Sequence, residues 1–347
     1  MSQKIKRIYF VGPAYPYRGG IAAFNERLAQ TYQEMGYEVK IHTFSLQYPE
    51  FLFPGKTQYS EASPPKDLDI TRSVSSINPF NWWSIGRKIA QEKPDLVITR
   101  FWLPFMGPCL GTIGRRIKKN KHTKFLSIVD NIIPHEHRIG DKTLAQYFVN
   151  TCDGFMVMSK SVLEDMKQFT QTTNIDYIPH PIYDNYGERV SKTEARKWLN
   201  LGMEEKVLLF FGLVRKYKGL DLLLEAMADE RIRKMGVKAI VAGEYYDDPA
   251  YYQEIIQRLG IQDQIISKPE FVPDEDVKYY FCGADMVVQP YKTATQSGIS
   301  QIAYHFERPM LVTAVGGLPE IVIQRLPQQD TAYRTLKKYT EHPLSLV

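Results

Sequence analysis

Two cations, Arg215 and Lys218, lie in a short segment whose surroundings suit an anion. The segment RKYKG follows the apolar run 207–211 and precedes leucines that recur at helical spacing in 220–227. It therefore connects the carboxyl end of a buried strand to the amino end of a helix, where open α/β sheets bind ligands. Free N–H groups at a helix start attract anions, and the two side chains add formal charge. The sequence predicts a phosphate site at this turn.

Two other loops of small residues also connect predicted strands to helices. They are GPAYPYRGG at 12–20 and TATQSGIS at 293–300. The first does not match the GxGxxG dinucleotide fingerprint, so a nicotinamide or flavin cofactor loses its usual support, and we expect no cofactor. Three such loops, one of them bearing two cations, favour a pyrophosphate ligand.

Strand-like and helix-like segments alternate along the whole chain, which indicates parallel sheets built from βαβ units. One series of strands occupies 7–159 and a second occupies 206–313, with prolines at 179 and 181 between them. The sequence predicts an α/β fold of two Rossmann-like, doubly wound domains facing a central cleft. The predicted domains are residues 1–185 and 186–322, followed by a divergent tail at 323–347.

Composition argues against a disulfide-stabilised, secreted or membrane-spanning protein. The three cysteines, Cys109, Cys152 and Cys282, are too few and too widely spaced for a disulfide framework or a CxxC metal site. The N-terminal apolar run is too short for a signal peptide or a membrane span. We expect a cytoplasmic protein without a bound metal.

Positive charge is concentrated in the first half of the chain. Residues 1–180 contain 23 Lys and Arg against 16 Asp and Glu, and the densest basic stretch is 115–124. The segment NPFNWW at 78–83 precedes it. Basic residues near aromatics could contact nucleic acid or an anionic membrane at its inner face. The simpler interpretation is that the basic stretch is a solvated helix end and that the two tryptophans of NPFNWW lie in the core. The absence of a base-reading motif argues against binding of nucleic acid.

Several segments together resemble a known family. FFGLVRKYKGLDLLLEAM, VAGE, FVPDED, the helix after QPY and VGGLPEIV occur in that order after an N-terminal RGG loop. In this order they are similar to the retaining family 4 glycosyltransferases of the GT-B type, over residues 5 to 322. The resemblance implies two Rossmann-like domains that close on a nucleotide-activated sugar without a metal ion. The tail after GGLPEIV does not continue the family pattern, so we expect it to be divergent or truncated.

The resemblance also implies roles for single residues. Arg215 and Lys218 match the cations that hold the donor diphosphate. The full implied donor site comprises the following residues: Gly19, Gly20, Arg215, Lys218, Gly243, Glu244, Phe271, Val272, Pro273, Gln296, Ser297 and Gly298. Among these, Phe271 to Pro273 would flank the nucleobase.

One departure from the family pattern concerns the donor sugar. The family usually has two glutamates, which contact the sugar hydroxyls and the ribose, where this sequence has Ala294 and Ile302. Neither side chain can make those hydrogen bonds, and Gln296, Ser297 and Gln301 are the polar residues nearby. The identity of the donor sugar and base therefore does not transfer from the family.

On the acceptor side, ionisable residues follow the strand KFLSIV at 124–129. Asp130 and His135 are the candidates to position the acceptor hydroxyl or accept its proton, with Glu136 and His137 in support. The HEH sequence lacks the HExxH spacing of a zinc site.

The combined prediction is a metal-independent retaining hexosyltransferase. It would move a sugar from a nucleoside diphosphate sugar to a hydroxyl of a glycan or lipid-linked acceptor. Two alternatives fit the same residues: a degenerate relative that binds the nucleotide sugar without turnover, and a GT-B epimerase or phosphorylase that uses water or phosphate.

Overall fold

A computed structural model describes residues 5–49, 57–60, 63–134 and 138–321. The chain divides into two compact units after Pro179, the first of the two prolines that interrupt the strand pattern. His135, Glu136, His137 and the predicted tail at 323–347 lie outside the described residues. Within the described ranges, no helix combines the length and the hydropathy that crossing a bilayer requires.

The first unit is a parallel sheet with helices in the connections. Its strands are β1 (Arg7–Val11), β2 (Glu38–Leu46), β3 (Asp69–Ser75), β4 (Leu96–Phe101), β5 (Lys124–Val129), β6 (Gly154–Val157) and β7 (Ile175–Tyr177). Its helices are α1 (Gly20–Glu34), α2 (Pro79–Glu92), α3 (Gly107–Ile117), α4 (Asp141–Val149) and α5 (Lys160–Met166). The strand order is β3-β2-β1-β4-β5-β6-β7, so the order reverses between β1 and β4.

The second unit repeats this topology with five strands. They are β8 (Lys206–Phe211), β9 (Val237–Ala242), β10 (Ile265–Lys268), β11 (Met286–Gln289) and β12 (Met310–Val312). The helices are α6 (Lys192–Leu199), α7 (Leu220–Met227), α8 (Glu230–Lys234), α9 (Pro249–Leu259), α10 (Val277–Gly283), α11 (Gly298–His305) and α12 (Leu318–Ile321). The order β10-β9-β8-β11-β12 reverses between β8 and β11, and doubly wound sheets bind ligands at that point.

Local sequence explains most of these elements. All six residues of β4 are buried, which is typical of a central parallel strand. Helix α2 begins with Pro79, and the Asn78 side chain accepts hydrogen bonds from the backbone N–H groups of Phe80 and Asn81. Within the predicted series 206–313, the apolar pattern ISKPEFV at 266–272 also suggests a strand, but β10 ends at Lys268 because Pro269 has no N–H for the ladder.

His42, on β2, is a buried histidine that makes the stability of the first unit depend on pH. Its Nδ1 lies 3.1 Å from Ser73 Oγ. Burial, with a smaller effect from Lys40, lowers the pKa of His42 from 6.5 to about 4. Between these values the unfolded chain binds a proton that the folded chain does not, so acid favours unfolding.

We therefore expect His42 to reduce the free energy of unfolding by about 3 kcal/mol as the pH falls from 7 to 4. Urea unfolding of the wild type and of His42→Gln across this range measures the effect. The variant should show a shallower dependence on pH. Identical slopes for both proteins would contradict the assignment to His42.

Candidate active site

The loop that leaves β8 extends the sheet beyond its last strand residue. The Val214 N–H donates to the Glu244 carbonyl at 2.9 Å, and the Tyr246 N–H donates to the Val214 carbonyl at 3.0 Å. The exposed Arg215 follows directly, with its guanidinium carbon 5.0 Å from the centre of the Tyr246 ring. This pairing holds Arg215 at the carboxyl edge of the sheet, where the sequence predicts it.

Lys218 closes the same turn but points inward. It ends the 3₁₀ turn Lys216–Lys218, in which the Lys218 N–H donates to the Arg215 carbonyl at 2.8 Å. Its side chain is buried, with Nζ 5.8 Å from the centre of the Tyr291 ring. Across the ranges that the structure describes, no carboxylate forms an ion pair with this ammonium group.

This environment changes the proton affinity of Lys218. Burial, and then the positive charge of Arg215, lower the pKa of Lys218 from 10.5 to about 7. A buried cation without an anionic neighbour is destabilising unless an anion binds beside it. The Lys218 site therefore has an electrostatic preference for an anionic ligand.

Two glycines allow the loops around Lys218 to approach closely. Gly219 has φ +67°, and a Cβ there would lie 2.0 Å from the Pro290 carbonyl oxygen. Gly243 has φ +141°, and a Cβ there would lie 2.3 Å from the Gly212 carbonyl oxygen. A larger residue at either position would displace backbone, so these glycines set the distance between the loops.

The segment that follows β11 places a polar pair, Tyr291 and Ser297, and an apolar pair, Ala294 and Ile302, near the site. The Tyr291 hydroxyl lies 3.3 Å from Ser297 Oγ, and burial raises the pKa of Tyr291 well above its ordinary range. Ser297 immediately precedes α11 and makes no side-chain capping bond to it. Ala294 and Ile302, which replace the glutamates of the family, are both buried. The apolar pair is thus packed inside the unit.

The structure brings together most of the predicted donor residues of the second unit. Those that follow the carboxyl ends of β8, β9 and β11, the three central strands, are Arg215, Lys218, Gly243, Glu244, Gln296, Ser297 and Gly298. Phe271, Val272 and Pro273 follow the edge strand β10, with Val272 buried and the other two exposed. Their predicted contact with a nucleobase stays a prediction.

The remaining predicted residues belong to the first unit. Gly19 has φ +108° and precedes α1, which begins at Gly20. Both residues are exposed, so their backbone is accessible to a ligand. Within the described residues, no group of three His, Cys, Asp or Glu side chains could hold a metal ion.

Asp130 has a strong partner that the sequence analysis missed. Arg100 Nε donates to Asp130 Oδ2 at 2.6 Å, and Arg100 Nη2 donates to Asp130 Oδ1 at 2.5 Å. Arg100 is only 2% exposed, and its guanidinium carbon lies 4.0 Å from the centre of the Phe24 ring. The bidentate pair holds Asp130 in one orientation, which favours a positioning role for this carboxylate.

Two family models match the chain. The description "Glycosyltransferase Family 4" applies to residues 18–185 and "Glycosyl transferases group 1" to residues 205–333. The chain belongs to the family 4 glycosyltransferases. The second match continues past residue 322 into the segment predicted to be a divergent tail, and the structure of that segment lies outside the described residues.

Curated relatives of this family 4 glycosyltransferase include D-inositol 3-phosphate glycosyltransferases. The one from Thermobifida fusca is 25% identical over 88% of this chain and 75% of its own length. The one from Segniliparus rotundus is 30% identical over 44% of this chain. That match spans about a third (34%) of the relative's length.

Solved structures show the fold. Anabaena Alr3699/HepE, described in complex with UDP and glucose, matches with a TM-score of 0.69 and 15% identity over 97% of this chain and 95% of that chain. The predicted GT-B fold, with two Rossmann-like parallel-sheet domains, is confirmed.

Proposed function

We propose that this glycosyltransferase transfers a sugar from a nucleoside diphosphate sugar to a hydroxyl of a glycan or lipid-linked acceptor, with retention of configuration. The observation on which the proposal depends is the buried Lys218 at the reversal point of the second sheet, beside Arg215. The complex of the Anabaena neighbour with UDP and glucose supports this class of donor.

The two cations suit the departure of a diphosphate. As the bond from the sugar to the phosphate breaks, negative charge accumulates on the leaving group, and Arg215 and Lys218 would stabilise it. Arg215 offers a planar donor fork, whereas Lys218 is a compact charge. Because these side chains supply charge compensation, we propose a transfer that needs no metal ion. Retention would then depend on positioning the acceptor and on stabilising the leaving group.

We assign the acceptor side to the first unit as part of this proposal. We propose that His135 assists the acceptor hydroxyl and that Asp130, held by Arg100, orients groups near it. The acceptor could be anchored in an anionic membrane, to which the basic first unit would bind peripherally.

A panel of UDP-, GDP- and ADP-sugars tests the proposal. The wild type should release nucleoside diphosphate from one of them, faster with an acceptor than with water or phosphate. Product analysis then separates transfer from epimerisation and phosphorolysis. Binding without release would favour the degenerate alternative, and neither binding nor release across the panel would contradict the proposal.

The titration of Lys218 makes donor binding depend on pH. In the free protein the pKa of Lys218 is about 7, and a bound diphosphate would raise it by stabilising the ammonium form. Binding should therefore be strongest below pH 7 and should weaken about tenfold between pH 7.5 and 9. Calorimetry of the wild type and of Lys218→Arg, whose charge does not titrate there, measures this. Equal affinities of the wild type at both pH values would contradict it.

A further inference from the structure

Three large apolar side chains are exposed at the start of α2. Ile77, Phe80 and Trp83, here called the α2 strip, are 50%, 86% and 47% exposed. The expectation that both tryptophans lie in the core is wrong for Trp83. Trp82 is partly buried against the core, and its indole N–H donates to the Ser75 carbonyl at 2.6 Å.

Arginines from two helices flank the α2 strip. The guanidinium carbon of Arg116, on α3, lies 4.4 Å from the centre of the Trp83 ring, and that of Arg87, on α2, lies 5.6 Å from it. Lys88 and Lys119 are also exposed on this part of the unit. Residues 70–91 and 96–129 contain no aspartate or glutamate. The α2 strip and the two arginines beside it therefore form a surface that is both apolar and basic.

This combination identifies the chemistry of a partner. Aromatic rings with an apolar body favour the boundary between headgroups and acyl chains, and arginines favour anionic headgroups. We propose that the α2 strip and its flanking arginines dock the first unit on an anionic lipid bilayer, with Phe80 and Trp83 entering the headgroup layer. The inference deepens the peripheral membrane binding proposed above. Vesicle binding is measured without a sugar donor or turnover, so its failure is distinguishable from a failure of the transfer proposal.

The geometry favours lipid over nucleic acid. Single-stranded nucleic acid binds by stacking bases on free aromatic faces. Two guanidinium groups already lie within 6 Å of Trp83, so its ring is not a free platform. Ile77 offers neither charge nor a ring, but it can contact acyl chains. Of these two partners, only a bilayer uses the apolar part of the surface fully.

Vesicle flotation with the full chain tests the docking surface. The wild type should float with vesicles of equal phosphatidylglycerol and phosphatidylcholine and not with phosphatidylcholine alone. The double change Phe80→Ser and Trp83→Ser should reduce binding at least about tenfold, and Arg87→Gln about fivefold. Molar salt should release much of the wild type by screening.

Matched control variants distinguish the α2 strip from a general effect of removing an exposed apolar residue or an exposed positive charge. Met35→Ser removes an exposed apolar residue elsewhere in the first unit, and Arg258→Gln removes an exposed arginine from α9. Both should bind anionic vesicles like the wild type, and all variants should retain the wild-type melting temperature. The proposal is overturned if the strip variants bind like the wild type. It is equally overturned if neutral vesicles bind as well, or if only a labelled oligonucleotide is bound.

Discussion

Lys218→Ala and Arg215→Ala should each weaken the binding of a nucleoside diphosphate by about ten- to a hundred-fold. The reason is that a charge-assisted hydrogen bond to phosphate is among the stronger polar contacts in proteins. Lys218 should have the larger effect, because its ammonium is buried and no solvent can replace it. Calorimetric titration with UDP and GDP measures both losses.

The same turn offers a matched control. Lys216 belongs to the 3₁₀ turn with Lys218 but is exposed. Lys216→Ala removes an equal charge from the same segment and should leave the affinity within about twofold of the wild type. A charge that makes no direct contact with the phosphate is screened by solvent, whereas Arg215 is proposed to make such a contact. Three variants with equal affinities would show that net charge, rather than the Lys218 site, determines binding.

Asp130→Ala should lower the free energy of unfolding by about 3–5 kcal/mol. The change leaves the guanidinium of Arg100 buried without its carboxylate partner, and such an uncompensated charge is strongly destabilising. Chemical denaturation followed by circular dichroism measures the loss. The double variant Arg100→Met with Asp130→Leu should recover much of it, because no buried charge remains.

The outcome also decides how to interpret the activity of Asp130 variants. If Asp130→Ala is as stable as the wild type but inactive, Asp130 acts on the substrate and the structural role of the pair is wrong. If stability and activity fall together and the double variant restores only stability, the pair positions the acceptor side.

The sequence was sufficient where local pattern determines structure. The apolar run before RKYKG, and the leucines behind it, place Arg215 and Lys218 at a strand-to-helix turn, because burial on both faces and helical periodicity are visible in neighbouring residues. The two series of strands were visible for the same reason. The apolar pattern within 7–159 does not indicate β3, because only Val74 is buried in this strand and it has no apolar run.

Features that depend on distant residues were not predictable in this way. The inward direction of Lys218 depends on Tyr291 and on the close approach allowed by Gly219. The pairing of Arg100 with Asp130 depends on the adjacency of β4 and β5. A charged residue inside the buried run LVITRF was the one local signal for Arg100. The core position expected for both tryptophans was instead a local error, because adjacent residues on a helix point in different directions and only Trp82 packs against the core.

The central claim is that Lys218 binds the diphosphate of the donor. Its most direct test compares a nucleoside diphosphate with the corresponding nucleoside, UDP with uridine or GDP with guanosine, on the wild type and on Lys218→Ala. We predict that Lys218→Ala weakens the binding of the nucleoside diphosphate at least about tenfold. The affinity for the nucleoside should not change. Equal losses of affinity for both ligands, or no loss of affinity for the diphosphate, would contradict the account.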